Sequence, residues 1–206
     1  MKLATRLLFV IFGLNLVGCA SGMKDYNSFV MPNNSIASST QELLELRPAN
    51  SLRFNKEQIW NITFSDPILK LNNIKSNYRA FSFQGNTTKQ FTIEIWSRCD
   101  CLGFNKTVMH PIAFIIDNEG EVINKSNVKF ASGRMGWTRP ANIYGKWIGK
   151  LEKDETYYLI IAADNRSLGK SVGSFEATNY ATPYAPIRMS LSHYPIGEIE
   201  TKITAL

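Results

Sequence analysis

Histidine and cysteine are scarce in this 206-residue chain, which has two of the first and three of the second. His110 and His193 are the only imidazoles, and neither has an obvious partner nearby in sequence. Motifs of the G-x-S-x-G, H-E-x-x-H and glycine-rich phosphate-loop kinds are also missing. Any active site would therefore have to be assembled in space from distant residues. The chain has no apolar run of the ~20 residues that a membrane-spanning helix needs. Its 23 Lys and Arg against 17 Asp and Glu give a formal net charge of +6, but they are scattered. That spread argues against a nucleic-acid partner, which calls for a basic patch or stripe. A hydrophobic content of 44% excludes disorder for most of the chain.

What is present begins at the N-terminus. Lys2 and Arg6 form a small basic head, followed by the apolar stretch from Leu7 to Val17, interrupted only by Gly13 and Asn15. This is the build of a secretory signal rather than of a membrane span. Its end, Leu16-Val17-Gly18-Cys19, resembles the lipobox of bacterial lipoproteins. The resemblance implies a diacylglycerol on the Cys19 sulfur, cleavage before it, and a further acyl chain, such as palmitate, on the new amine. Each buried methylene contributes roughly 0.8 kcal/mol, so even two chains hold a protein stably on a bilayer. Ala20 and Ser21 stand where an aspartate would signal retention in the inner membrane, so the expected address is the periplasmic face of the outer membrane. The expected division is a signal peptide over 1–18, a lipidated flexible tether over 19–39 and one folded domain over 40–206. Removing Lys2 and Arg6 leaves 6 − 2 = +4, which suits a solvated mixed surface.

Along the domain, Ser39 or Thr40 can cap a short helix through Leu43, Leu44 and Leu46, closed by Pro48. Counted from Thr40, Glu42 comes too early for a capping box, and the helix is expected to plug one end of the domain. From Leu52 the pattern changes to period two. Trp60, Ile62 and Phe64 alternate with polar neighbours, Ile68 to Leu71 makes a short strand, and Phe81 and Phe83 follow. Phe91, Ile93 and Ile95 are expected to face inward, as are Ile112, Phe114 and Ile116 ahead of an Asp117-Asn118-Glu119-Gly120 turn. Tyr157 to Ala163 is apolar on both faces and should be a central strand. Asp164 to Ile187 is too long for a hairpin and should be functional or cover an open end of the core. Eight or nine alternating runs with one short N-terminal helix predict an all-β sandwich or jelly roll.

The order of Leu-rich helix, Phe81-Ser82-Phe83, a strand ending in Ser97, Pro111-x-x-Phe114-x-x-Asp117 and Tyr157-Tyr158-Leu159-Ile160-Ile161 resembles the maltose operon periplasmic protein family. More loosely it resembles the pre-peptidase C-terminal type of sandwich. The likeness runs over roughly residues 40 to 195, in element order more than in identity. It implies a periplasmic β-sandwich associated with carbohydrate uptake, of maltodextrin type, and supplies no catalytic residues. The Cys99/Cys101 pair and the shorter C-terminal region depart from that family.

Several residues invite a chemical role. Cys99 and Cys101 flank a single residue, Asp100, and in an oxidising compartment they can form a local disulfide, pack as thiols or act in redox chemistry. With His110 they offer a weak set of soft-metal ligands that lacks a fourth member. Trp137, Trp147, Tyr180 and Tyr184 lie near Gly, Pro and Asn, where loops are expected. Such rings either stack on sugars, with Asn142 and Asn179 reading hydroxyls, or cover the ends of a core. Asp164, which opens the long loop, either lines a binding mouth or simply starts a turn. The expected function is a non-catalytic binding or accessory module of the cell envelope. It would need no cofactor, would sit on the membrane through its lipid, and would take an envelope protein or a saccharide as partner.

Overall fold

A computed structural model describes residues 26, 34–46, 50–71, 73–101, 106–124, 128–133, 141–177 and 187–206. In chain order, β1 (Ile36–Ala37) leads into the helix α1 (Thr40–Glu45), then β2 (Asn50–Ser51), β3 (Glu57–Ile62) and β4 (Ile68–Leu71). Two long strands follow, β5 (Ile74–Gln84) and β6 (Gln90–Arg98), then β7 (Thr107–Val108), β8 (Pro111–Ile116) and β9 (Val122–Asn124). The second half holds β10 (Ala131–Gly133), β11 (Asn142–Lys150) and β12 (Thr156–Ala163). After a 3-10 turn at Asn165–Ser167 come β13 (Ser171–Ala177), β14 (Ile187–His193) and β15 (Gly197–Ala205). Among the described residues the fold is an all-β sandwich with one short α-helix, as the alternation predicts. Its described strands outnumber the eight or nine expected. The extra ones are mostly β1, β2, β7, β9 and β10, whose two or three residues are too short to show a period.

A seven-stranded sheet runs in the order β1-β4-β5-β12-β8-β9, with β2 beside β5, and a five-stranded sheet runs β10-β11-β6-β15-β3. Between them lies the main core. Phe81, Phe83, Leu159 and Ile161 from the first sheet meet Phe91, Ile93, Ile95, Ile199 and Ile203 from the second. β12 is central, antiparallel to both β5 and β8. Its other face, with Tyr158, Ile160 and Ala162, is also buried, under Leu43 and Leu44 of α1. Two layers therefore sit on this sheet, which explains why the strand is apolar throughout.

The same arrangement corrects two expectations. First, α1 lies on the outer face of the seven-stranded sheet, not at an end of the domain. Second, Ala113 and Ile115 of β8 face the main core, while Ile112, Phe114 and Ile116 face the helix layer. Both faces of β8 are covered, so a period of two cannot tell which one meets the second sheet. The helix starts at Ser39, whose Oγ accepts from the Glu42 N–H at 3.2 Å, and Glu42 reaches back to accept from the Ser38 N–H at 2.6 Å. Counted from Ser39, Glu42 stands in the capping-box position, with its partner shifted by one residue. The helix ends at Glu45 with Leu46 as its cap, and Pro48 lies outside the described residues.

The expected tether gives its last six residues to the fold. Asn34 Nδ2 donates to the carbonyls of Phe64 and Asp66 at 2.7 and 2.8 Å, and β1 pairs in parallel with β4. Earlier still, Tyr26 is buried and donates its hydroxyl to Asn77 Oδ1 at 2.6 Å. The turn at Asp117–Gly120 forms as expected, with Gly120 at φ +86°, where a Cβ would also lie 2.9 Å from Gln41 of the helix.

Asp164–Ile187 is not an irregular loop throughout. It contains the 3-10 turn and β13, which pairs with β14 and, through it, with β7 in a third, three-stranded sheet. This sheet sits at one end of the sandwich around a small core of Val108, Ala141, Ile143, Phe175 and Leu191. The strand β15 escaped the sequence reading, although it is an interior strand of the five-stranded sheet, between β6 and β3.

Candidate functional site

Most of the residues with chemical potential gather at the end of the sandwich closed by the third sheet. There β12 and β6 end, β8 and β15 begin, and His193 finishes β14. His193 is 1% exposed. Its Nδ1 accepts from the backbone N–H of His110 at 2.8 Å, which leaves the ring proton on Nε2, 3.3 Å from Asn165 Oδ1. Asn165 in turn donates through Nδ2 to the Lys75 carbonyl at 2.8 Å, tying the third sheet to β5. Burial, with the neighbouring His110 imidazole, pushes the His193 pKa down to about 4, so the ring is neutral at ordinary pH.

His110 stands beside it, ring centroids 6.3 Å apart. Burial lowers its pKa, with Arg166 adding to the effect and Asp164 opposing it. Its Nδ1 lies 3.9 Å from Asp164 Oδ2, too far for a hydrogen bond, and finds no other partner among the described residues. Asp164 faces Arg166 instead, taking a two-pronged ion pair from Nε and Nη2 at 2.6 and 2.7 Å. Burial raises the Asp164 carboxyl, but the hydrogen bonds and charge of Arg166 outweigh it and hold the group below the usual carboxylate range. Among the described residues, neither imidazole is hydrogen-bonded to a hydroxyl or thiol.

Two depressions flank this cluster. The larger, about 480 Å³, is lined by residues that include Arg98, Cys99, Thr107, Met109, Tyr194 and Glu198. Arg98 ends β6 beside β15, and its guanidinium bridges Glu198 at 2.7 Å and Glu200 at 2.9 Å. The smaller, about 250 Å³, has apolar walls of Leu69, Ile74, Ile112 and Ala163, with Asp164 and Arg166 also lining it.

Cys99 and Cys101 are joined in a disulfide, with Cα atoms 5.2 Å apart. While their sulfurs are bonded to each other, the two residues cannot act with His110 as thiolate ligands to a metal. Trp147 is 7% exposed in the main core, not on a loop, and cannot serve as a sugar platform there. Asn142 is likewise buried, at the start of β11. Asp164 does line a depression, though its carboxylate is already committed to Arg166. Cys19, Trp137, Asn179, Tyr180 and Tyr184 lie outside the described residues.

Sequence reasoning missed Asn165 as the link between His193 and β5, and Arg98 as the partner of Glu198 and Glu200. The latter residues are about a hundred positions apart, and only the pairing of β6 with β15 brings them together. Neither the family models nor the curated proteins compared with this chain match it, so no residue role is carried over from a relative.

Proposed function

We propose that this protein is a lipid-anchored lipoprotein of the outer membrane, exposed to the periplasm, and that it works as a non-catalytic binding module. The observation that carries the reading is the Leu16-Val17-Gly18-Cys19 stretch closing a short apolar run. Cys19 precedes Tyr26, the first described residue docked on the sandwich, by only seven positions. The binding role rests on the end bearing the third sheet. Two depressions flank the imidazole pair there, one lined by the Arg98–Glu198 pair and the other by the Arg166–Asp164 pair. Convergent polar groups in a partly apolar concavity are the usual make-up of a binding site. Replacing Cys19 by Ser should move the protein from the membrane to the soluble fraction of a cell extract. A variant that still sediments with membranes would overturn the anchor.

A further inference from the structure

We propose that the Cys99–Cys101 bridge is a thiol–disulfide exchange site that accepts electrons from a dithiol. The bridge encloses one residue, Asp100, so it removes little freedom from the unfolded chain and has little stabilising work to do. The surrounding backbone is held independently of the sulfurs. Asp100 and Thr107 exchange both backbone hydrogen bonds, at 2.8 and 3.2 Å, and the Cys99 N–H donates to the Ala141 carbonyl at 2.9 Å. Opening the bridge would therefore leave the end of β6 and the start of β7 in place.

The position suits exchange. Both cysteines are half-buried against the small core of the third sheet, and Cys99 lines the larger depression, through which an attacking thiolate would reach the bridge. The Lys106 ammonium donates to the Cys101 backbone carbonyl at 2.5 Å, so a positive charge stands at the residue whose sulfur would leave. Such a charge favours the thiolate. Asp100 is exposed within the ring and acts in the opposite sense, while Arg98 is already neutralised by Glu198 and Glu200. The balance assigns the roles. A thiolate of the dithiol attacks Cys99 Sγ, the S–S bond breaks, and its electron pair leaves on Cys101 Sγ. The second thiol of the reductant then attacks the mixed disulfide and releases Cys99. Two electrons and two protons pass to the pair, and the dithiol becomes a disulfide.

The test uses the full chain with Cys19 replaced by Ser, so that no third thiol interferes. The folded protein is treated with millimolar dithiothreitol, trapped with a maleimide and weighed by mass spectrometry, with far-UV circular dichroism recorded alongside. The expected result is reduction of both cysteines with the β signal unchanged, and closure again on adding oxidised glutathione. Lys106→Gln should slow reduction and Asp100→Asn should speed it, each by about threefold. With Cys101→Ser, Cys99 should form a stable mixed disulfide with oxidised glutathione, whose adduct carries no second thiol to expel it. A bridge that stays closed in the folded protein and opens only on denaturation overturns the proposal.

Discussion

The two ends of the sandwich are built differently. At one end the strands are joined by hydrogen-bonded turns. The Gly85 N–H donates to the Glu155 carbonyl at 2.8 Å, Thr87 N–H to Asp154 Oδ1 at 2.6 Å, and Leu206 N–H to the Gln90 carbonyl at 2.7 Å. A Cβ on Gly85 would come within 2.4 Å of the Tyr157 ring, so the chain crosses between sheets there only as glycine. At the other end the third sheet stands over a small apolar cluster, and its attachment includes His193, Asn165 and the backbone of His110. One end is closed by two short turns bonded directly to each other and the other by a separate small sheet, and the chemically versatile residues gather at the second. An end held by a small core and a buried neutral imidazole can open without unfolding the body, as local opening in proteins generally draws on regions with few apolar contacts.

The sharpest way to break this contrast is to cut both cores. Ile161→Ala, in the main core, should lower global stability by about 2–5 kcal/mol in urea denaturation. Leu191→Ala should instead free the amides of β13 and β14 to hydrogen exchange while β12 stays protected. Uniform loss of protection in Leu191→Ala would show that the ends are one cooperative unit.

The next largest effect is that of acid. The folded His193 pKa is about 4 against an ordinary 6.5, so below 6.5 the unfolded chain takes up a proton that the folded one refuses. The stability that this ring contributes is therefore present above pH 6.5 and lost as the pH falls towards 4, amounting to roughly 3 kcal/mol. Denaturation midpoints measured across that window should fall, and His193→Gln should flatten the trend. The smallest effect belongs to the helix layer. Ser39→Ala removes the cap of α1 and should lower the thermal midpoint by the equivalent of about 1 kcal/mol.

The parts of this fold that were legible in sequence are those whose signal is local. Tyr157 to Ala163 announced a doubly covered strand, Gly120 its turn, and Leu43 with Leu44 a buried helical stripe. β15 was equally plain in the spacing of Ile199, Thr201 and Ile203, and without it β3 has no strand to join it to β6. The third sheet was hidden for a physical reason: its strands pair β7 with β14, some eighty residues apart, and no local pattern records that. The candidate site depends on the same long-range pairings. The residues of its imidazole pair were visible, but their meeting was not, and Arg98 has no cue in its own neighbourhood to the two glutamates it holds.

The place of β15 also bears on how the molecule comes into being. It follows every other strand of its sheet in chain order, yet it lies between β6 and β3. While the chain is still emerging, β6 and β3 have no neighbour to join them, and the five-stranded layer cannot close. A polypeptide that assembles only after nearly all of its length is available stays loose until its synthesis is almost complete, and then condenses slowly through contacts between remote segments.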